Sequence, residues 1–113
     1  MRIRNVLQEF EAHLVPTQGS RQTKAYGKAE WKTYADGTRQ CKVSLSRLDL
    51  SDGTTLALVV AGRRITELTV QHGAIRYRRE TERGEQVATV AENEILQVLD
   101  AGQVILEGRF ISE

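Results

Sequence analysis

The stretch Thr23–Leu48, TKAYGKAEWKTYADGTRQCKVSLSRL, decides the fold class. From Thr23 to Tyr34 the odd positions read Ala25, Gly27, Ala29, Trp31 and Thr33, while the even ones read Lys24, Tyr26, Lys28, Glu30, Lys32 and Tyr34. Successive side chains of a strand point to opposite faces, so this alternation predicts a strand with a small-residue inner face anchored by Trp31. Asp36-Gly37 follows, and glycine accepts the positive φ that hairpin turns require. Beyond it, Arg39–Leu48 sets Cys41, Val43 and Leu45 on one side and Gln40, Lys42, Ser44 and Ser46 on the other. The two runs read as one hairpin.

Working outward, the same punctuation recurs at Asp52-Gly53, Ala61-Gly62, His72-Gly73, Arg83-Gly84 and Ala101-Gly102. Strand-length runs lie between: Thr55–Ala61, Arg64–Gln71, Ala74–Thr81, Ile95–Asp100 and Val104–Ile111. Thr55–Ala61 is apolar on both faces and reads as a central strand covered on two sides. Arg64–Gln71 and Ala74–Thr81 are expected to pair through His72-Gly73, and the Asp-Gly-Thr triplets at 36–38 and 52–54 to be hairpin turns capped by their aspartates. Val87–Glu94 is irregular and reads as a short strand or a crossing loop. The expected architecture is all-β: one domain over residues 1–113, an antiparallel sandwich or flattened barrel of seven to nine strands. At the N-terminus, Ile3, Val6, Leu7, Phe10 and Leu14 fit helical spacing, while Phe10, Ala12 and Leu14 fit a strand equally well. With hairpin punctuation elsewhere, the reading is a strand from about Glu9, with residues 1–8 a flexible or helical lead-in.

Composition bounds the rest. The chain has 113 residues, 40% apolar, with a single cysteine and a net charge of +1. That share supports a folded core and excludes collagen-like, disordered and disulfide-stapled classes. No apolar run reaches membrane-spanning length, so no membrane association is expected. With no secretory signal in the sequence as written and a lone thiol, the expected location is the cytoplasm, or outside the cell if a leader was removed. The near-neutral total hides an asymmetry, because residues 1–42 hold eight basic and four acidic side chains and residues 43–113 hold eight and eleven. Complementary surfaces on neighbouring copies would follow naturally from such a split.

Candidate chemistry is sparse. His13 and His72 are the only imidazoles and, even with Cys41, fall short of a four-ligand zinc set, so no metal or other cofactor is expected. Asp49-Leu-Ser-Asp-Gly-Thr54 lacks the distal bidentate acid of a helix-loop-helix calcium loop. Cys41 sits on the apolar side of its strand and reads as an inert thiol. Neither a nucleophile elbow nor a phosphate-cradling glycine loop is present, so the chain is read as non-enzymatic. The distinctive surface feature is Arg63-Arg64 with Arg76-Tyr77-Arg78-Arg79. It would track a phosphate backbone, with Tyr77 as a stacking surface, or form a salt-bridged sheet face with Glu67, Glu80, Glu82 and Glu85.

Phe10-Glu-Ala-His-Leu-Val-Pro16, then Gly27-Lys-Ala29, then Val43-Ser-Leu-Ser-Arg-Leu48, is similar in order and spacing to the opening of the chordin-type repeat (CHRD) domain. The resemblance covers the first half of the chain. It implies a β-sandwich used as an extracellular binding or structural module, with no catalytic residues to carry over. Leu56–Gly62 has no counterpart of that family's histidine-containing segment.

The functional expectation is a non-catalytic binding or assembly module, self-associating through sheet faces or edges or binding another protein, with the N-terminal segment available to extend a neighbour's sheet. Nucleic-acid or polyanion binding through Arg63, Arg64, Arg76, Tyr77, Arg78 and Arg79 is the alternative. A small-ligand barrel, or an enzyme without a readable motif, is the third.

Overall fold

The computed structural model describes residues 5–113. Strands β1 (Val6–Pro16), β2 (Tyr26–Tyr34) and β3 (Arg39–Ser46) form an antiparallel meander. The chain then crosses to build the hairpin β4 (Thr55–Val60) and β5 (Arg63–Thr69), and returns to place β6 (Ile75–Glu80) beside β3. A single 3-10 turn at Thr81–Arg83 opens a long crossing segment. It leads to the hairpin β7 (Ile95–Asp100) and β8 (Gln103–Arg109) and the two-residue β9 (Ile111–Ser112). The sheet order is β5-β4-β7-β8-β1-β2-β3-β6, with β9 also on β1. The sheet therefore curls almost into a barrel, and its two end strands, β5 and β6, face each other without pairing. The molecule measures 42 × 27 × 21 Å, so the barrel is flattened.

The turns explain the register. Ala61-Gly62 and Ala101-Gly102 both carry positive φ at both residues, the geometry of the two-residue turns whose twist matches that of the strands they join. Closure depends on a different property of glycine. β1 bends from one wall to the other, pairing with β2 along most of its length and with β8 only at Val15↔Glu107 and Pro16↔Leu106. A Cβ on Gly108 would lie 2.3 Å from the His13 carbonyl oxygen, so β8 reaches β1 only because residue 108 has no side chain.

The inner layer consists of Phe10, Ala12 and Leu14 from β1, Ala29 and Trp31 from β2, and Cys41, Val43 and Leu45 from β3. These meet Leu56, Leu58, Val60, Leu96, Val98 and Leu106 from the opposite wall. Alanines on β1 and β2 leave room for Trp31, which meets Phe110 edge-to-face with ring centres 5.4 Å apart. The crossing segment drops Val87 onto one end of this core.

The all-β barrel and the inward face of Ala25, Ala29, Trp31, Cys41, Val43 and Leu45 are as expected from sequence. Four expectations are corrected. The strands on either side of His72-Gly73 do not form a ladder: the turn is closed by the isolated bridge Gln71↔Ala74, and β6 pairs with β3 instead. Pairing with β3 buries Ile75 against Leu45, whereas a hairpin with β5 would have left the β3 edge bare. Asp52-Gly53 lies on the crossing from β3 to β4 rather than in a hairpin, and the Asp52 carboxylate accepts the His72 amide proton at 2.7 Å. β4 is central but covered on one face only, with Leu56, Leu58 and Val60 buried and Ala57 and Val59 half-exposed, because the barrel wall is a single layer. Finally, β1 begins at Val6, without a helical turn over residues 5–8, and a bulge at Leu7 blurs its alternation. Residues 1–4 lie outside the described residues.

Candidate functional site

The outer face of β1, β2, β3 and β6 is the most organised polar surface of the chain. Paired residues across hydrogen-bonded strands share a face, so the ladders fix its layout. One row runs Glu11, Glu30, Lys42, Arg78. The row on one side of it runs Glu9, Lys32, Gln40, Glu80, and the row on the other runs His13, Lys28, Ser44, Arg76. The β1–β2 half thus carries three acids against two lysines, and the β3–β6 half three cations against one acid.

Local pairing anchors parts of this lattice. The Lys28 ammonium lies 3.0 Å from Glu11 and 3.2 Å from Glu30, and its pKa is raised by hydrogen bonding first to Glu11 and then to Glu30. Lys32 lies 3.6 Å from Glu9. Arg78 donates to Glu80 at 2.8 Å, which raises the guanidinium pKa further, and the Tyr34 hydroxyl and Gln40 Oε1 are joined at 3.0 Å in a buried contact. Lys42 has no ion pair among the described residues, and Arg76 donates to the carbonyls of Leu45 and Ile75.

Around these charges lies unusual apolar exposure. Of the five large hydrophobic side chains left exposed among the described residues, Val6, Val15, Tyr26 and Ile111 belong to this face by register or alternation, and Leu7 sits in the adjoining bulge. Isolated exposed hydrophobics are ordinary; their confinement to one face is not.

The arginine cluster read from sequence divides into three. Arg76 and Arg78 join Lys42 on the outer face. Tyr77 and Arg79 point the other way, toward the seam between β5 and β6, with the Arg79 guanidinium 4.5 Å from the Tyr77 ring centre. Arg63 lies at the β4–β5 turn, 3.7 Å from Glu94, and Arg64 is paired with Glu67. No single surface presents all six residues. Lys42, Glu11 and Glu30 escaped the sequence reading, although the Asp36-Gly37 hairpin alone would have set Glu30 opposite Lys42.

The remaining candidates do not converge. His13 is on the outer face, 3.2 Å from Glu11, and His72 is in an exposed turn. Cys41 is in the inner layer, where burial pushes its thiol pKa up to about 11 and so keeps it protonated at neutral pH.

In comparisons with known proteins, no protein-family model matches the chain, and no curated protein matches it significantly.

Proposed function

We propose that this chain is a non-catalytic assembly module that self-associates through the outer face of β1, β2, β3 and β6. The observation that carries the reading is the row Glu11, Glu30, Lys42, Arg78, which is antisymmetric in charge. A two-fold axis above the outer face, parallel to the strands and over the gap between β2 and β3, sets Glu11 opposite the second copy's arginine and Glu30 opposite its lysine. The same operation brings Glu9 opposite Glu80, each already held by a cation of its own chain, Lys32 and Arg78. Closed two-fold dimers are the commonest homo-oligomers and require such self-complementary patches. The charges give register, while Val6, Val15, Tyr26 and Ile111 supply the apolar area that association needs.

The test is absolute mass by size exclusion with light scattering. Wild type should give a multiple of 12.7 kDa. Glu30→Lys and Lys42→Glu should each dissociate it, and the double exchange should restore it, because opposite charges again face each other. A wild-type monomer at 0.1 mM, or a double exchange no better than either single variant, would sink the reading.

The strip Lys42, Arg76 and Arg78 supports a second reading, polyanion binding, since among the described residues Lys42 has no ion pair and Arg76 bonds only backbone carbonyls. Retention on heparin that falls steeply with salt and disappears in Arg78→Glu would favour it over assembly.

A further inference from the structure

The seam between β5 and β6 opens onto a cleft of about 540 Å³ that is independent of the outer face. Its floor is Trp31 and Cys41, its walls include Tyr77 and Ile65, and Arg64 stands at its lip. The crossing segment covers one end. Two side chains pin that segment by its carbonyls: the Trp31 indole N–H donates to Ala88 at 2.9 Å, and Arg39 Nε donates to Val87 at 3.1 Å.

An incoming strand is not what this seam suits. The free edge of β6 is already capped, because Arg79 Nη1 donates to the Arg78 carbonyl at 2.7 Å and the Glu85 carboxylate accepts the Glu80 amide proton at 3.1 Å. Charged side chains that occupy edge groups in this way block further pairing.

Arg39 points to the occupant. Three cationic side chains among the described residues are half-buried: Lys32, Arg39 and Arg79. Lys32 has Glu9 and Arg79 has Glu85, but Arg39 has no carboxylate partner among the described residues. Its Nε is committed to Val87, which leaves the terminal guanidinium nitrogens for the cleft. A partly desolvated cation without a counter-ion is an uncompensated cost that an anion would offset through charge-assisted, bidentate hydrogen bonds. Arg64 adds positive potential at the lip, and Glu85 on the same cleft weighs against a multiply charged anion. Ile65, Val87 and the Tyr77 ring offer apolar surface beside the charge.

We infer that this cleft binds a small monocarboxylate with a flat or extended apolar body, its carboxylate on Arg39 and its body between Ile65 and Tyr77. The volume suits a ligand of this class.

The probes are 2-naphthoate and decanoate, titrated into the full chain by calorimetry, with 2-naphthylmethanol and decanol as uncharged counterparts. At least one carboxylate should bind at a single site, at least about tenfold more tightly than its alcohol, the discrimination expected from a hydrogen-bonded charge. Arg39→Gln should weaken binding about tenfold or more, and Arg64→Glu, an exposed substitution that leaves the fold intact, severalfold. Arg109→Gln, on β8 away from the cleft, should change nothing. The inference is overturned if neither carboxylate binds, if the alcohols bind equally well, or if Arg64→Glu and a folded Arg39→Gln both retain wild-type affinity.

Discussion

Replacing Gly108 by alanine tests how the barrel closes. The added Cβ would sit 2.3 Å from the His13 carbonyl oxygen and 3.0 Å from its carbon, against a backbone that cannot rotate away. Relief requires β8 to retreat from β1 by about 1 Å, an overpacking strain that typically costs about 1–3 kcal/mol. The closure it disturbs is narrow: two residue pairs, plus the Thr17 amide donating to Ile105 at 3.1 Å. Weakening one such backbone bond adds about 1 kcal/mol. The expected loss is therefore about 3 kcal/mol. With an unfolding entropy of about 2.1 cal/mol/K per residue, that lowers the melting temperature by about 13 °C for a chain of this length. Gly37→Ala is the reference, because its φ of +87° is strained for alanine while nothing lies within 4 Å of the new Cβ. That strain alone is worth about 1–2 kcal/mol. Urea unfolding followed through Trp31 emission reads both variants, with the denaturant slope unchanged if the same surface is exposed. If Gly108→Ala loses no more than Gly37→Ala, β8 is not pressed against β1 and the account of closure is wrong.

Other substitutions probe the core and its chemistry. Phe110→Ala removes a fully buried ring that packs edge-to-face on Trp31 and should cost about 3–5 kcal/mol by urea titration, with a shift in Trp31 emission. Burial holds the Cys41 thiol protonated to about pH 11 against an ordinary value of 9.0. Because the folded pKa is the higher one, this stabilisation is full below pH 9 and lost as pH rises from about 9 to about 11; Cys41→Ala should flatten that alkaline decline in a melting series. The same burial predicts that a disulfide reagent at pH 8 modifies Cys41 far more slowly in the native protein than in the unfolded chain, so equal labelling rates would contradict it. Tyr34→Phe strips the Gln40 oxygen of a buried donor and should lose about 1–3 kcal/mol, measured by the same denaturation.

Local features were readable and long-range ones were not. Ala25, Ala29 and Trp31 alternate with polar residues, and that period alone identifies the inner face of β2. His72-Gly73 is a turn, with positive φ at both residues as its sequence implies, yet the hairpin expected across it does not form. A turn's dihedrals say how the chain reverses, not which sheet receives the strand that follows. β4 misled for a related reason, since Ala57 and Val59 are apolar but small enough to remain half-exposed on an outer wall. The outer charge row was half available: the β2–β3 hairpin fixes Glu30 opposite Lys42, but Glu11 and Arg78 join it through pairings that depend on the bulge at Leu7 and on the return of β6 to β3. The cleft was invisible because it exists only where two end strands fail to meet.

The wall that closes on Gly108 also sets an order of events during synthesis. β1 is finished by residue 16, but its partners β8 and β9 are supplied by residues 103–112, some ninety positions later. The β1–β2–β3 meander can therefore form early and must then wait, with Trp31 and its neighbouring alanines uncovered, until Phe110 emerges. Contacts so distant along a chain fold slowly and leave apolar surface open in the interval. A ribosome stalled before Gly108 should hold a species that binds hydrophobic dyes and is easily cleaved by protease. Once residues 108–112 are free to pair, the barrel can seal.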